Sequence, residues 1–296
     1  MTKRKNDRRS VQRLLWDPKR VSQEISAGPI FQHLDEPTRK ELESIPVTEL
    51  LGKVKGALQN PKPLDICRPV LGAVLAAQYY EVFQALGLPR NLAVYEPCVG
   101  GSVPVILAAE AHSYGKADYL TINLNQKLCA ELKAKIGRLR MAIRIIEDNA
   151  QHALAHLEPN RFDVACFHHA VNDILETAVS EPRGMNTITI DWFPNERQMI
   201  EWLAEDVASG RIKERGKPEL LQIIGDAVNL VRPGGYLLFD HYNWCKYMNV
   251  DWFPWQLFYD LIPMTREWIA ESGLPLVEEK LPNVDPQWWM IMKVKK

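Results

Sequence analysis

Val94-Tyr95-Glu96-Pro97-Cys98-Val99-Gly100-Gly101-Ser102-Val103 reads as a strand that ends in an acid, passes through a glycine turn and opens a helix. Glycines at such a turn let backbone approach a ligand closely, and ligands of open parallel sheets bind in the crevice outside the carboxyl ends of the strands. A tight βα turn of this kind also exists with no ligand. The weight of the stretch therefore rests on what flanks it.

From Asn91 onward short apolar runs alternate with longer helical stretches, the signature of a parallel sheet built from βαβ units. Strands are predicted at residues 92–96, 118–123, 142–146, 162–167 and 236–240, with helices at 103–112, 126–139, 152–157 and 218–231. Two further strands, 275–279 and 288–294, are joined by a connection too short for a helical crossover, so they are predicted to be antiparallel. An insertion at about 175–217 breaks the alternation. It holds Asp191-Trp192-Phe193-Pro194, four letters that return at Asp251-Trp252-Phe253-Pro254. No self-similarity of longer period accompanies them, so the repeat is read as coincidence rather than duplication.

Upstream, proline-punctuated short helices are expected. Asp35-Glu36-Pro37 opens one, because acids suit a helix N-terminus and proline its first turn. The strongest runs over 70–86 and closes at Gly87, with Pro89 just beyond. Apolar residues surround much of it, which predicts burial between the N-terminal segment and the sheet. Three regions result: a basic, partly disordered tail at 1–30, a helical region at 31–90, and an α/β domain at 91–296.

With 296 residues, 46% of them hydrophobic, the chain can bury a large core. A formal net charge of -1 supplies no global field toward nucleic acid or an anionic membrane. The basic N-terminus, with Lys3, Arg4, Lys5, Arg8, Arg9 and Arg13, is read as a solvated tail rather than a nucleic-acid arm. No secretory signal and no run of about 20 apolar residues is visible, so a cytoplasmic protein without membrane contact is expected. Cys67, Cys98, Cys129, Cys166 and Cys245 are odd in number and include no C-x-x-C pair, which points to reduced thiols.

The ordered motifs from about Asn91 to Lys296 resemble those of the class I S-adenosylmethionine-dependent methyltransferases. Glu96 to Ser102 looks like their first motif, nearest the D-P-x-x-G-S-G variant. Glu147-Asp148-Asn149-Ala150 resembles the adenine-contacting motif, and Phe162-Asp163-Val164-Ala165-Cys166-Phe167-His168-His169 the strand leading to the catalytic rim. Leu230-Val231-Arg232-Pro233-Gly234-Gly235-Tyr236-Leu237-Leu238 looks like the turn before the fifth strand. The resemblance implies a Rossmann-like, mostly parallel seven-stranded sheet with an antiparallel last strand, plus the N-terminal helical region. It implies S-adenosyl-L-methionine as cofactor and S-adenosyl-L-homocysteine as product.

On that resemblance Glu96, Pro97, Cys98, Gly100 and Gly101 would meet the methionine portion, Asn123 and Leu124 the ribose, Asp148 and Asn149 the adenine, and His168 would line the cofactor. Two departures stand out. Asn123 occupies the place of the usual ribose-gripping acid, weakening that contact by about 1 kcal/mol, and Val103 replaces the last glycine of the loop.

His168-His169-Ala170-Val171-Asn172-Asp173 and Asp240-His241-Tyr242-Asn243 end the fourth and fifth strands, where donor and acceptor would meet. An imidazole with a carboxylate nearby can take a proton near neutral pH. His169 and His241 are the candidate bases, with Asp173 as the carboxylate. Histidines and carboxylates on one rim could also ligate a metal, but no H-x-x-x-H spacing joins these residues, so no metal is expected. Trp192, Phe193, Trp244, Tyr247, Trp252, Phe253 and Trp255 are candidates for a lid, with core packing the commoner role for such residues; Trp255 and Phe258 would anchor a helix at 263–270.

The leading expectation is a methyltransferase with a small-molecule acceptor, with no nucleic-acid partner and a homodimer as one assembly. A nucleic-acid methyltransferase and a non-catalytic binding or regulatory protein on the same fold are the alternatives. Against the former, the fourth strand leads to His-His instead of the Pro-Pro-aromatic run of amino-methylating adenine enzymes.

Overall fold

The structure, a computed structural model, describes residues 15–59, 68–241 and 251–295. Seven strands, β1 (Ala93–Pro97), β2 (Asp118–Ile122), β3 (Ala142–Ile146), β4 (Phe162–His168), β5 (Val231–Asp240), β6 (Leu276–Glu278) and β7 (Trp289–Val294), form one sheet. Their order is β3-β2-β1-β4-β5-β7-β6. The first five pair in parallel, and β7 runs antiparallel to both β5 and β6. β4 lies at the centre and is buried at every position, as a strand covered on both faces must be. Chain direction across the sheet reverses between β1 and β4, which makes their carboxyl ends the topological switch point.

Period-two alternation divides the core. Val164 and Cys166 of β4 face one apolar layer, while Ala165 and Phe167 face the other. The first layer is covered by α1 (Pro18–Ser26), α2 (Pro29–His33), α3 (Glu36–Ser44), α4 (Val47–Gln59), α5 (Arg68–Ala85), α6 (Pro104–Ser113) and part of α7 (Gln126–Ile136). The second is covered by α8 (Ala153–His156), α9 (Ala170–Ser180), α10 (Trp192–Ala208), α11 (Gly216–Leu230) and α12 (Trp255–Ser272). Among the described residues no helix is long and apolar enough to cross a membrane.

Four details differ from the expectations. Helix α1 lies inside the segment read as a tail to residue 30: Asp17 caps it, Pro18 opens it, and Val21 and Ile25 are wholly buried. Trp16 donates its backbone N–H to Glu81 of α5 at 2.6 Å, fixing this start to the layer above the sheet. Residues 1–14, which carry most of the basic side chains, lie outside the described residues.

The glycine pair before Tyr236 is part of β5 rather than a turn ahead of it. Phe162 pairs with Val231 and Val164 with Tyr236, so residues 232–235 bulge opposite Asp163. Gly235 is needed there because an added Cβ would lie 2.6 Å from the Asp163 carbonyl oxygen. The short helix predicted at 152–157 is only α8, preceded by a 3-10 turn at Ala150–His152. Helix α12 begins at Trp255 rather than 263, because Phe258, Leu261 and Ile262 present a buried apolar face before Pro263.

Candidate active site

The glycine loop leaves β1 through Cys98 and Gly100, both at positive φ (58° and 59°), and enters α6 at Pro104. Glycine accepts that backbone freely. Cys98 donates its N–H to the Ile122 carbonyl at 2.9 Å, which ties the loop to the end of β2. Burial pushes the Cys98 thiol up to about 12, with Asp173 adding to it, so no thiolate forms near neutral pH.

Above the loop opens a cleft of about 900 Å³. Gly100 and Gly101 form its floor, the start of α5 and the N-terminus of α3 one side, and the C-terminal end of α7 another. His168, His169, Asn172 and Asp173 line it at the carboxyl end of β4, beside Trp192 and Phe193. The structure thus brings Gly100, Gly101, His168, His169 and Asp173 together, from two separate stretches of the sequence.

His168 stands opposite Asp240 in the β4–β5 register, and its Nδ1 lies 3.0 Å from each carboxylate oxygen. The Tyr79 hydroxyl of α5 donates to Asp240 Oδ1, and the Tyr79 ring meets His168 edge-on at 5.7 Å. All three side chains are buried. Burial opposes charge on His168, but the Asp240 charge and hydrogen bond, aided by Glu96 and Asp173, raise its pKa above the ordinary imidazole value. His169 adopts φ 52° at the start of α9 and is half-buried.

His241, expected to face the acceptor, does not line the cleft. It is completely buried and stacks on Phe258 with centroids 5.3 Å apart. Burial first, then His169 and His168, hold its pKa well below the usual value.

Glu96 sits beneath the loop, 1% exposed, taking the Tyr119 hydroxyl on Oε2 while Oε1 has no hydrogen-bond partner. Burial raises its pKa to about 8, against the opposing influence of His168 and Tyr119. Pro97 is buried beside it.

The expected ribose contacts lie in a second, small recess of about 30 Å³, where Asn123 and Leu124 meet Cys98, Gly100, Asp173 and Trp192. The insertion closes this side. Asn125 caps α7 with its side-chain oxygen and donates its amide to the Thr187 and Ile190 carbonyls at 2.9 and 3.0 Å. Trp192 then packs on Leu128 and Met199.

Asp148 and Asn149 line neither the cleft nor the recess. His156 Nε2 lies 2.6 Å and His152 Nδ1 3.0 Å from the two Asp148 oxygens, and Asn149 caps the following turn through Gln151 N–H. The hydrogen bonds from His156 and His152 hold the Asp148 carboxyl down at about 2. In the structure the Asp148 carboxylate is engaged by this local imidazole cluster and lies away from the cleft lining. Its sequence signal was the spacing of histidines four and eight residues after the acid.

Of the aromatic candidates, Trp192 and Phe193 reach the cleft. Phe253 packs between Trp255 and Phe258 at 4.6 Å from each, and Arg197 lies 4.9 Å over the Trp252 ring. Trp255 and Phe258 start α12, as anchors would. Tyr242, Asn243, Trp244 and Tyr247 lie outside the described residues.

The sheet order, with antiparallel β7 between β5 and β6, is the Rossmann-like fold of the class I methyltransferases. No family model and no curated protein matches the chain. Among solved structures, a SAM-dependent methyltransferase from Aquifex aeolicus is 10% identical, with 73% of this chain and 87% of that one covered and a TM-score of 0.44. The CurJ carbon methyltransferase is 14% identical over 94% of this chain and 67% of its own, TM-score 0.46. The pyocyanin biosynthetic protein PhzM is 9% identical over 94% and 72%, TM-score 0.46. At such identities the particular chemistry rests on the site itself.

Proposed function

We propose that the chain is an S-adenosylmethionine-dependent methyltransferase with a small-molecule acceptor. The observation that carries this reading is that the glycine loop after β1 and the histidine pair after β4 open into one cleft at the switch point of the sheet. Its volume of about 900 Å³ stands near the top of the roughly 300–1,000 Å³ range of ligand pockets, room for a cofactor and a compact acceptor. The chain's own α3 and α5 wall it, which suits a small acceptor better than a polymer.

The residues fit the cofactor. Gly100 and Gly101 offer backbone without side chains, Asn123, Leu124 and Cys98 form the adjoining recess, and the unpartnered Glu96 oxygen lies beneath the loop. When bound, S-adenosylmethionine supplies an electrophilic methyl group. The protein aligns the acceptor against it, and Trp192 and Phe193 exclude water at the mouth. His169, half-buried in the cleft lining together with Asp173, takes the proton the acceptor loses.

The test is transfer of labelled methyl groups from S-adenosylmethionine into a small-molecule extract. His169→Gly suits the positive φ at that position and should lower turnover at least 100-fold while cofactor affinity stays within threefold. Equal turnover by the variant would remove the assignment of the proton acceptor, and no labelled product with wild type would remove the transferase.

A further inference from the structure

We propose that His168, His169 and Asp240 bind one divalent first-row transition-metal ion. The inference goes beyond the methyltransferase reading and holds whichever organic ligand fills the cleft.

One donor atom from each residue lies within 4.8 Å of the others. Consecutive strand residues point to opposite faces, yet the His168 and His169 rings are 4.8 Å apart, because β4 ends at His168 and the left-handed backbone at His169 turns the second ring. The β4–β5 register then sets Asp240 directly against His168. Ligands about 2.1 Å from a shared ion are about 3.0 Å apart at right angles; His168 Nδ1 and both Asp240 oxygens stand at 3.0 Å in a hydrogen bond that the ion would replace, and the donors, spread over up to 4.8 Å, would draw together by side-chain rotation as the ion binds. Two imidazoles and one carboxylate on one side of an ion form the facial donor set that leaves positions open for other ligands. Here those positions face the cleft that His168 and His169 line.

Around this set the structure supplies the outer support a metal site needs. Tyr79 donates its buried hydroxyl to Asp240, orienting the carboxylate. Among the described residues Asp240 is ion-paired with His168 alone, with no lysine or arginine in the pair. An ion would thus offset a wholly buried carboxylate in a site that has nitrogen and oxygen donors. Bound there, it would take the His169 nitrogen that accepts the proton in the metal-free protein, and would instead polarise an acceptor oxygen or nitrogen in the cleft and make its proton more acidic.

The experiment uses the full chain, stripped with a chelator, desalted, and titrated with Zn2+, Mn2+ and, under anaerobic conditions, Fe2+. Metal content and calorimetry are read together. One equivalent of at least one ion per chain is expected, weakened at least 100-fold in His169→Gly. Asp240→Asn should act alike, but this residue is buried, so the half-buried His169 carries the test and circular dichroism checks both variants. A His152→Ala/His156→Ala variant, which removes the cluster at Asp148, should bind as wild type does. Absence of bound metal with all three ions, retention of full affinity in His169→Gly, or loss in the His152→Ala/His156→Ala variant would overturn the site. S-adenosylmethionine titrated in parallel separates this outcome from failure of the transferase reading.

Discussion

Replacing Glu96 by Gln should change how stability depends on pH. Burial raises the Glu96 carboxyl from 4.5 to about 8. Between those values the unfolded chain has released the proton while the folded chain retains it, so the folded state binds more protons and loses stability as pH rises. The stabilisation is fully present below the unfolded value and is gone above the folded one. One pH unit corresponds to about 1.4 kcal/mol, so the full interval is worth on the order of 4–5 kcal/mol. Gln is neutral throughout, is nearly the same shape, and can still accept the Tyr119 hydroxyl. Urea denaturation of both proteins at pH 5.5, 6.5 and 7.5 should show wild type losing roughly 1.4 kcal/mol per unit relative to the variant. Parallel pH profiles would refute the claim that this buried acid is neutral in the folded protein.

Asp206 is wholly buried and meets Arg183, Arg211 and Arg215, so Asp206→Asn should cost on the order of 3 kcal/mol by leaving guanidinium groups without their carboxylate. The bond from Arg183 first, against burial, and then that from Arg211 hold the Asp206 carboxyl at about 2, so its contribution is present above pH 4 and vanishes as pH falls toward 2; denaturation midpoints of wild type and variant should converge there. Two glycines of the cleft should respond in opposite directions in thermal melts. Gly100→Ala meets φ 59° and should lose about 1–2 kcal/mol, whereas Gly72→Ala, inside α5 with no atom within 4 Å of an added Cβ, should gain about 0.5–1 kcal/mol.

Much of the fold was legible because periodicity reports burial. The strand predicted at 142–146 coincides with β3, β2 and β4 differ from expectation by a residue at one end, and β1 is shifted by one residue at both. These apolar runs are bounded by turn residues on both sides. The start of β5 was not legible, because Arg232-Pro233-Gly234-Gly235 looks like a turn in one dimension and becomes a bulge only against Asp163 of its neighbour. Gly100, Gly101, His168, His169 and Asp173 follow directly from strand ends, where position along the chain dictates position at the cleft. Asp148 follows the same rule in sequence, but the histidines at 152 and 156 capture its side chain. Tyr79 carried no signal, since its role depends on how α5 crosses the end of β5. Pairing of His168 with Asp240 requires the sheet order, as 72 residues separate them.

The central claim is that the cleft over Gly100 and Gly101 holds S-adenosylmethionine. Calorimetric titration of wild type with S-adenosylmethionine and S-adenosylhomocysteine, beside Gly101→Val and Asp148→Ala, tests it most directly. Micromolar binding to wild type is expected, with affinity within threefold in Asp148→Ala and at least tenfold weakening in Gly101→Val, whose added Cβ would meet the Glu131 and Lys135 side chains of the cleft wall at 2.9 and 3.4 Å. Absence of binding to wild type, or binding lost in Asp148→Ala and kept in Gly101→Val, would contradict it.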